Sequence, residues 1–226
     1  MKILAVIPAY NEQECIVDTV DWLRRECPDI DYLVVNDGSK DATVDLCRAH
    51  GFSYVSLPIN TRLTSAFRCG MKYAHRNGYD AVVQFDADGQ HLPSYIPKLV
   101  EAMQEHNADI VIASRFLDGT KPSGARGVGQ RLITALIKLT TGTTITDPTS
   151  GMRLFNRDMI EHFAKDFDIA PEPDTVALMA RKHKTIVEIP AKMQERQGGT
   201  SYFDLPHIVS YMGRTCLSIL LFQWLR

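Results

Sequence analysis

The sequence predicts an α/β domain with a mostly parallel central sheet flanked by helices. Short apolar runs alternate with helical patterns of about 10 to 15 residues through the first half of the chain. Strands separated by helices in this way form βαβ units, in which the strands run parallel. The chain has 226 residues, 45% of them hydrophobic, which is enough for one well-packed core.

The predicted strands occupy the apolar runs, in chain order 3–7, 32–35, 54–57, 81–85, 110–113, 154–155 and 185–190. The first predicted helix places Ile16, Val20 and Leu23 on one face. Later helices are predicted over 98–104, 130–140 and 175–181, and another begins after residue 156. Pro97 favours a helical first turn, and Asp174 is a suitable N-cap for the helix over 175–181.

Composition excludes several classes of protein. The net charge of −2 gives no basis for general nucleic-acid binding. The five cysteines form no C-x-x-C pair, which favours a reduced cytosolic protein with buried thiols over a disulfide framework or a zinc site. The apolar start of the chain is too short for a signal peptide and has no cleavage site, so no export is expected.

Polar and acidic residues follow the predicted strands. In open parallel sheets, ligands bind beyond the carboxyl ends of the strands, so these segments are the candidate site. They are P-A-Y-N-E at 8–12, N-D-G-S-K-D-A-T at 36–43, D-A-D-G-Q-H at 86–91 and S-R at 114–115. The chain has neither a G-x-x-x-x-G-K-[ST] motif nor a G-x-G-x-x-G motif after its first strand, which argues against P-loop NTPases and dinucleotide oxidoreductases.

The segment at 86–91 carries two carboxylates, Asp86 and Asp88, at the end of a buried strand. Two such acids repel each other, and a divalent cation bridging to a diphosphate would relieve that repulsion. Carboxylate oxygens suit Mg²⁺ or Mn²⁺, which are often held by one or two carboxylates and substrate phosphates. An isolated D-x-D is equally compatible with a strand-ending turn in which Asp caps a helix.

The order and spacing of the four strand-end segments resemble the inverting family 2 glycosyltransferases of the GT-A fold. The closer resemblance is to the polyprenyl-phosphate branch, typified by dolichyl-phosphate mannose synthase. T-D-P-T-S-G-M-R at 146–153 and E-R-Q-G-G-T-S at 195–201 extend the similarity, which covers residues 2–203. The resemblance implies a glycosyltransferase domain over 1–205.

The resemblance also implies a site for a nucleotide-diphosphate sugar, either a UDP-sugar or a GDP-sugar. Its nucleoside and ribose contacts would be Pro8, Ala9, Tyr10, Glu12, Asp37, Asp86 and Ala87. Asp88 and Gln90 would bind Mn²⁺ or Mg²⁺ at the donor diphosphate. The chain departs from the family at Asn60-Thr61-Arg62, where N-x-G is usual, and Arg62 is either a phosphate contact or a solvated residue at a helix start.

For the acceptor, the resemblance implies a polyprenyl phosphate bound by Arg115 and Arg131, with Arg126 as a further candidate. The Gly-, Pro- and Ser-rich segment 116–129 predicts a mobile loop, a usual place for a lid. Arg196 would close on the donor diphosphate. Glu172 is either a general base for a hydroxyl acceptor or a contact to the acceptor or a cation, so the catalytic set is Asp88, Arg115, Arg131, Glu172 and Arg196.

The C-terminal segment 206–226 predicts an amphipathic helix that is too short to span a membrane. It either lies at the membrane interface, which places the protein at the cytoplasmic face of the cell membrane, or forms a dimer contact or folds onto the core. The sequence therefore leaves open whether the chain forms a homo-oligomer.

Three other functions also remain open. They are transfer to a sugar hydroxyl of a lipid-linked or cell-wall polysaccharide, nucleotidyl transfer, and a non-catalytic nucleotide-sugar-binding subunit.

Overall fold

The computed structural model of the chain describes residues 1–120, 124–166, 169–194 and 205–221. Within these ranges it has a seven-stranded sheet whose strands are β1 Ile3–Ala9, β2 Asp31–Asn36, β3 Tyr54–Ser56, β4 Ala81–Gln84, β5 Ile110–Ser114, β6 Arg153–Asn156 and β7 Ile186–Pro190. The strand order is β3-β2-β1-β4-β6-β5-β7, and β6 alone runs antiparallel to its neighbours. The predicted α/β class with a mostly parallel sheet is confirmed.

The helices cover both faces of the sheet. They are α1 Ile16–Glu26, α2 Thr43–Ala49, α3 Arg62–Arg76, α4 Ile96–His106, α5 Gly124–Thr141, α6 Arg157–Lys165, α7 Pro173–Arg181 and α8 Leu205–Leu220, with a 3₁₀ turn at Pro93–Tyr95. Alternate strand residues point to opposite faces. Leu4 and Val6 thus contribute to the core under α3, α6 and α7, whereas Ala5 and Ile7 contribute to the core under α1 and α4.

The core under α3 and α6 contains three aromatic rings. Phe67, Phe155 and Phe163 lie with ring centroids 5.3 to 5.4 Å apart, and all three side chains are buried. Burying such a side chain stabilises the fold by about 1.5–3 kcal/mol. This contact anchors β6, which carries Phe155, beside β4.

Two sequence expectations about helix starts were wrong. The predicted loop at 116–129 ends earlier, because α5 begins at Gly124. Met212 of α8 lies against Gly129, where a Cβ would come within 2.6 Å of its sulfur, so close helix packing requires the glycine there. Likewise α7 begins at Pro173 with Glu172 as its N-cap, two residues before the predicted start, because Pro is favoured in a first turn.

The C-terminal helix α8 folds back onto α5 and α7. Ile219 and Thr215 are buried in this contact, and the hydroxyl of Ser218 donates to Asp174 Oδ2 at 2.6 Å. Among the alternatives predicted for the C-terminal segment, the inner face of α8 therefore matches a helix that folds onto the core. Its outer face is exposed at Leu217, Leu220 and Leu221.

Candidate functional site

A cleft of about 630 Å³ opens beyond the carboxyl ends of β1, β2 and β3. Its lining includes the predicted nucleoside contact Tyr10, and Asn36, Lys40, Pro58 and Asn60 lie around it. Two loops form its floor. The amide of Asn11 donates to Ser39 Oγ at 2.9 Å, and Asn11 Oδ1 accepts from the Lys40 amide at 2.8 Å.

Asn11 has a φ of 56°, in the left-handed region that Asn tolerates better than most residues. Sequence reasoning did not assign a role to Asn11 or Ser39, although both lie in the quoted segments. The predicted contact Glu12 lies in the turn before α1: its carbonyl accepts from the amides of Cys15 and Ile16, and its own amide donates to Thr43 Oγ1. These bonds anchor the turn that follows Tyr10, which lines the cleft, and Pro8 and Ala9 are the last two residues of β1.

Asp37 joins the ends of β1 and β2 to the start of α3. Its carboxylate Oδ1 accepts from the amide of Thr61 at 2.9 Å and from the Thr61 hydroxyl at 3.0 Å, and its amide donates to Ala9 O at 2.8 Å. Gly38 follows with a φ of +69°, and a Cβ there would lie 2.6 Å from the backbone of Ile59. The predicted base or ribose contact is therefore also a structural residue of the cleft.

The first carboxylate of the acidic segment, Asp86, is fixed by His91. The Asp86 amide donates to His91 Nδ1 at 2.9 Å, so the neutral ring carries its proton on Nε2, which lies 3.5 Å from Asp86 Oδ2. Gly151 packs against the same oxygen, and a Cβ there would be 2.6 Å from it. His91 has a positioning role that the sequence did not reveal.

Ala87 is buried, and its carbonyl accepts from the Thr19 hydroxyl of α1 at 3.0 Å. Asp88 is 9% exposed, and its Oδ1 accepts from the Gln90 amide at 3.1 Å. The Gln194 amide donates to Gln90 O at 3.0 Å, which places the start of the segment after β7 beside the acidic run. Arg196 lies just beyond Gln194 in the chain and outside the described residues.

The donor atoms at this edge suit a hard divalent cation. Across the described ranges, no three His, Cys, Asp or Glu side chains are grouped so as to hold a metal by themselves. Carboxylates such as Asp88, with the amide oxygen of Gln90, fit the mode in which Mg²⁺ or Mn²⁺ takes its remaining ligands from substrate phosphates and water. The residues present thus fit a metal that binds together with a diphosphate.

Arg115 is held by a buried carboxylate. Its Nε donates to Asp147 Oδ2 at 2.7 Å, and its Nη2 donates to Asp147 Oδ1 and to Thr149 Oγ1, both at 2.8 Å. These bonds use three of the five N–H groups of the guanidinium, and among the described residues the two on Nη1 have no hydrogen-bond partner. The Arg115 side chain is 35% exposed, so part of it is open to a ligand.

The other two predicted acceptor residues lie on α5. Arg131 is exposed, and its Nε donates to Gly127 O at 3.3 Å, one turn earlier in the helix. The described contacts do not join Arg131 to the acidic segment. The side chain of Arg126 lies outside the described residues.

Glu172 lies in a partly buried polar group that the sequence did not predict. Its Oε2 accepts from the Tyr211 hydroxyl of α8, and burial raises the pKa of the Glu172 carboxyl, with the Tyr211 hydrogen bond and the charge of Arg153 offsetting part of the rise. Arg153 is itself buried and donates to the carbonyls of Pro148 at 2.7 Å and Ser150 at 2.8 Å. Arg153 and Glu172 thus connect the 148–151 loop with α7 and α8.

Comparison with known proteins gives consistent results. The family model for "Glycosyl transferase family 2" matches residues 4–163. An undecaprenyl-phosphate mannosyltransferase of Micrococcus luteus is 33% identical over 216 residues, covering 89% of this chain and 87% of the relative. A polyprenol monophosphomannose synthase of Mycolicibacterium smegmatis is 28% identical over 218 residues, covering 88% of this chain and 80% of the relative.

Among solved structures, a glucosyl-3-phosphoglycerate synthase from Mycobacterium tuberculosis has the same fold. Its complex with Mn²⁺, UDP-glucose and phosphoglyceric acid aligns with a TM-score of 0.75 at 18% sequence identity, covering 97% of this chain and 78% of that chain. Another crystal structure of that enzyme contains Mg²⁺ and UDP, and it aligns with a TM-score of 0.71 at 18% identity, covering 97% of this chain and 78% of that one.

Proposed function

The chain belongs to glycosyl transferase family 2, and on this premise we propose that it moves a hexose from a UDP- or GDP-sugar to a polyprenyl phosphate, with inversion at the anomeric carbon. The expected GT-A fold and the family assignment are confirmed. The observation that carries the proposal is the shared sheet edge. The cleft beyond β1–β3, the Asp86–Asp88 carboxylates and the Arg115 guanidinium all follow strand ends there.

The donor occupies the cleft in this proposal, with the nucleoside near Tyr10 and the ribose near Asp37. The diphosphate then lies toward Asp88 and Gln90, which would hold Mn²⁺ or Mg²⁺, and the ion would supply positive charge to the departing diphosphate. His91 and Gly151 hold Asp86 in place, and its carboxylate would be a further contact to the donor. Arg196 would add a second positive charge there.

The acceptor phosphate attacks the anomeric carbon in this scheme. A phosphate oxygen forms the new bond to that carbon while the bond to the β-phosphate oxygen breaks, and the electron pair leaves with the nucleoside diphosphate. A phosphate monoester is already anionic at neutral pH, so no general base is needed. Arg115 would hold it through the free Nη1 edge, and Arg131 and Arg126 would add charge from α5.

The outer surface of α5 and α8 is the proposed site of contact with the membrane. Exposed apolar side chains project from both helices, and we name them the leucine surface: Val128, Leu132, Leu139, Leu217, Leu220 and Leu221. Leu139 is 77% exposed. Over the part of the chain that the structure describes, no helix combines the length and apolarity that crossing a bilayer requires. The leucine surface supports peripheral binding at the cytoplasmic face, where the lipid phosphate is presented.

A hydroxyl acceptor on a lipid-linked or cell-wall polysaccharide is the second candidate. The raised pKa of Glu172 favours it, because a general base works best with a pKa near the operating pH. The hydrogen bond from Tyr211 and the burial of the carboxylate count against it. Glu172→Gln separates the two: kcat collapses for a hydroxyl acceptor, whereas for a phosphate acceptor it changes little.

The test uses the purified full chain with Mn²⁺ or Mg²⁺ and radiolabelled UDP- and GDP-hexoses. We expect transfer to a short-chain polyprenyl phosphate and none to the matched polyprenol, which has a hydroxyl in place of the phosphate. Transfer to the polyprenol, or to no lipid phosphate with any common donor, would refute the proposed acceptor. A thermal-shift panel of nucleoside diphosphates with Mn²⁺ identifies the base of the donor, because a bound ligand raises the melting temperature.

A further inference from the structure

Glu188 lies behind the residues that hold Arg115. It is the third residue of β7 and pairs with Ile112 of β5, two positions before Ser114. Its side chain is directed at the start of the 146–149 loop and accepts three hydrogen bonds there. The donors are the Thr146 amide at 2.7 Å, the Thr146 hydroxyl at 2.9 Å and the Asp147 amide at 2.8 Å.

The chain of contacts then passes to Arg115. Asp147 is fully buried, and both of its carboxylate oxygens accept from the Arg115 side chain, while Oδ2 also accepts from the Arg115 amide at 3.0 Å. Thr146 adds a second link, since its hydroxyl lies 2.8 Å from Ser114 Oγ. The direction of the Arg115 guanidinium is therefore set by a loop whose own position is set by Glu188.

We propose that Glu188 is a positioning residue for the acceptor phosphate, acting through Thr146 and Asp147 on the free Nη1 edge of Arg115. The inference rests on the proposed function, because it assumes that Arg115 binds the acceptor anion. Glu188 does not touch the acceptor. The two oxygens of its carboxylate offer four lone-pair sites, which is enough to accept from the three converging donors.

Glu188→Gln tests this role with almost no change of shape. The amide has one oxygen and an NH₂ group, so at least one of the three donors faces another donor and its hydrogen bond is lost. Because this hydrogen bond to a charged carboxylate is lost, we expect the loop that carries Asp147 to shift. We expect the KM for a short-chain polyprenyl phosphate to rise about 10-fold, with the KM for the nucleotide sugar within about twofold of wild type.

Asp109 offers a matched control. Its carboxylate also accepts three hydrogen bonds, from the Thr185 amide at 2.8 Å, the Asn156 side chain at 3.0 Å and Lys184 at 3.2 Å. It precedes β5, at the end of the strand pair opposite to Ser114 and Arg115. Asp109→Asn makes the same chemical change, so it is expected to lower the melting temperature and leave the acceptor KM unchanged.

A double-mutant cycle identifies the route. If Glu188 acts through Arg115, Glu188→Gln adds no further loss in an Arg115→Met background, and the acceptor KM of the double variant equals that of Arg115→Met. Additive losses in the cycle would overturn the inference. Thr146→Val is a second variant for the case in which Glu188→Gln does not fold, and it should raise the acceptor KM in the same direction by a smaller factor.

The failures are distinguishable. An acceptor KM that rises in Arg115→Met but stays at the wild-type value in folded Glu188→Gln overturns the inference and leaves the proposed function intact. An acceptor KM that does not change in Arg115→Met removes Arg115 from the acceptor site and overturns both. An equal rise in Asp109→Asn would show a general effect of stability and would also overturn the positioning role.

Discussion

The proposed donor side and the proposed acceptor side of the sheet edge are held together in different ways. Around the cleft beyond β1–β3, two adjacent loops are joined by side-chain-to-backbone bonds, such as those of Asn11 with Ser39 and Lys40. On the other side, Arg115 bonds to Asp147 and Glu172 bonds to Tyr211, and these partners lie 32 and 39 positions away in the chain. The proposed donor side is thus formed by two short motifs that bond to each other, whereas on the proposed acceptor side Arg115 and Glu172 bond to a loop before β6 and to the C-terminal helix.

The difference has a consequence for substitutions. A change in a motif residue of the proposed donor side should affect chemistry and leave the remaining fold in place, because its contacts join only the loops at the edge of the sheet. A change on the acceptor side should alter stability or the position of α8 together with activity, because its contacts tie several elements to one another.

Asp88→Asn is expected to give the largest effect. Removing the carboxylate weakens the hold on the divalent cation and reduces charge stabilisation at the departing diphosphate, so kcat should fall about 10²–10³-fold. Steady-state kinetics with saturating Mn²⁺ measure this, and urea denaturation should give a wild-type unfolding free energy. Asp45→Asn, an exposed acid on α2, is the control and should retain full activity. A fully active Asp88→Asn enzyme would contradict the assignment of the metal ligand.

Glu172 and Tyr211 should give an intermediate, pH-dependent effect on stability. Burial raises the pKa of Glu172 in the folded chain above the unfolded value of 4.5. Between these two values the folded state binds more protons than the unfolded state, so the contribution present below pH 4.5 is lost as pH rises through the folded pKa. Glu172→Gln should therefore lose less stability than wild type on raising the pH from about 4 to about 8.

Tyr211→Phe should make the loss of stability with rising pH larger than it is in wild type. The Tyr211 hydrogen bond lowers the pKa of Glu172, so removing it leaves a partly buried carboxylate with one donor fewer and costs about 1–3 kcal/mol at neutral pH. Urea denaturation across the pH range measures both variants, with Glu105→Gln on the exposed face of α4 as the control. Identical pH profiles for wild type, Glu172→Gln and Tyr211→Phe would contradict the tertiary link to α8.

Arg62→Gly should give the smallest effect, confined to the donor side. Arg62 has a φ of +69°, which costs a non-glycine residue roughly 1–2 kcal/mol. Glycine relieves that strain but adds unfolded-state entropy, so the net gain in stability should be about 0.5–1 kcal/mol. Asn107→Gly at the end of α4, where φ is 48°, is the control and should gain less, because Asn tolerates this conformation.

The same variant distinguishes the two interpretations of the Asn60-Thr61-Arg62 departure. In the described residues, the exposed Arg62 side chain has no hydrogen-bond or ion-pair partner, so the donor KM should stay within about twofold of wild type. A tenfold rise in the donor KM, with stability increased as expected, would instead assign Arg62 to the donor phosphates.

Much of the fold could be predicted from the sequence, because strand-length apolar runs and helical periodicity are local signals. The start of α5 could not, since the Gly- and Ser-rich composition near Gly129 favours a loop until Met212 packs against it. The proposed donor residues lie in contiguous segments that follow strands, so the sequence could place those segments at one edge of the sheet from strand order alone. The Asp147 partner of Arg115 and the Tyr211 partner of Glu172 are 32 and 39 positions away, and no pattern in the chain links them.

The reversed direction of β6 limits which segments of two related enzymes can be exchanged in a chimera. Because this strand runs against its neighbours, its first residue, Arg153, lies at the edge of the sheet where the other strands end, and it pairs with Gln84 of β4. A chimera that takes its first 106 residues from one parent and the rest from another would therefore place foreign side chains along the whole β4–β6 border. Exchanging acceptor preference between relatives should succeed only when β4 is transplanted with β6.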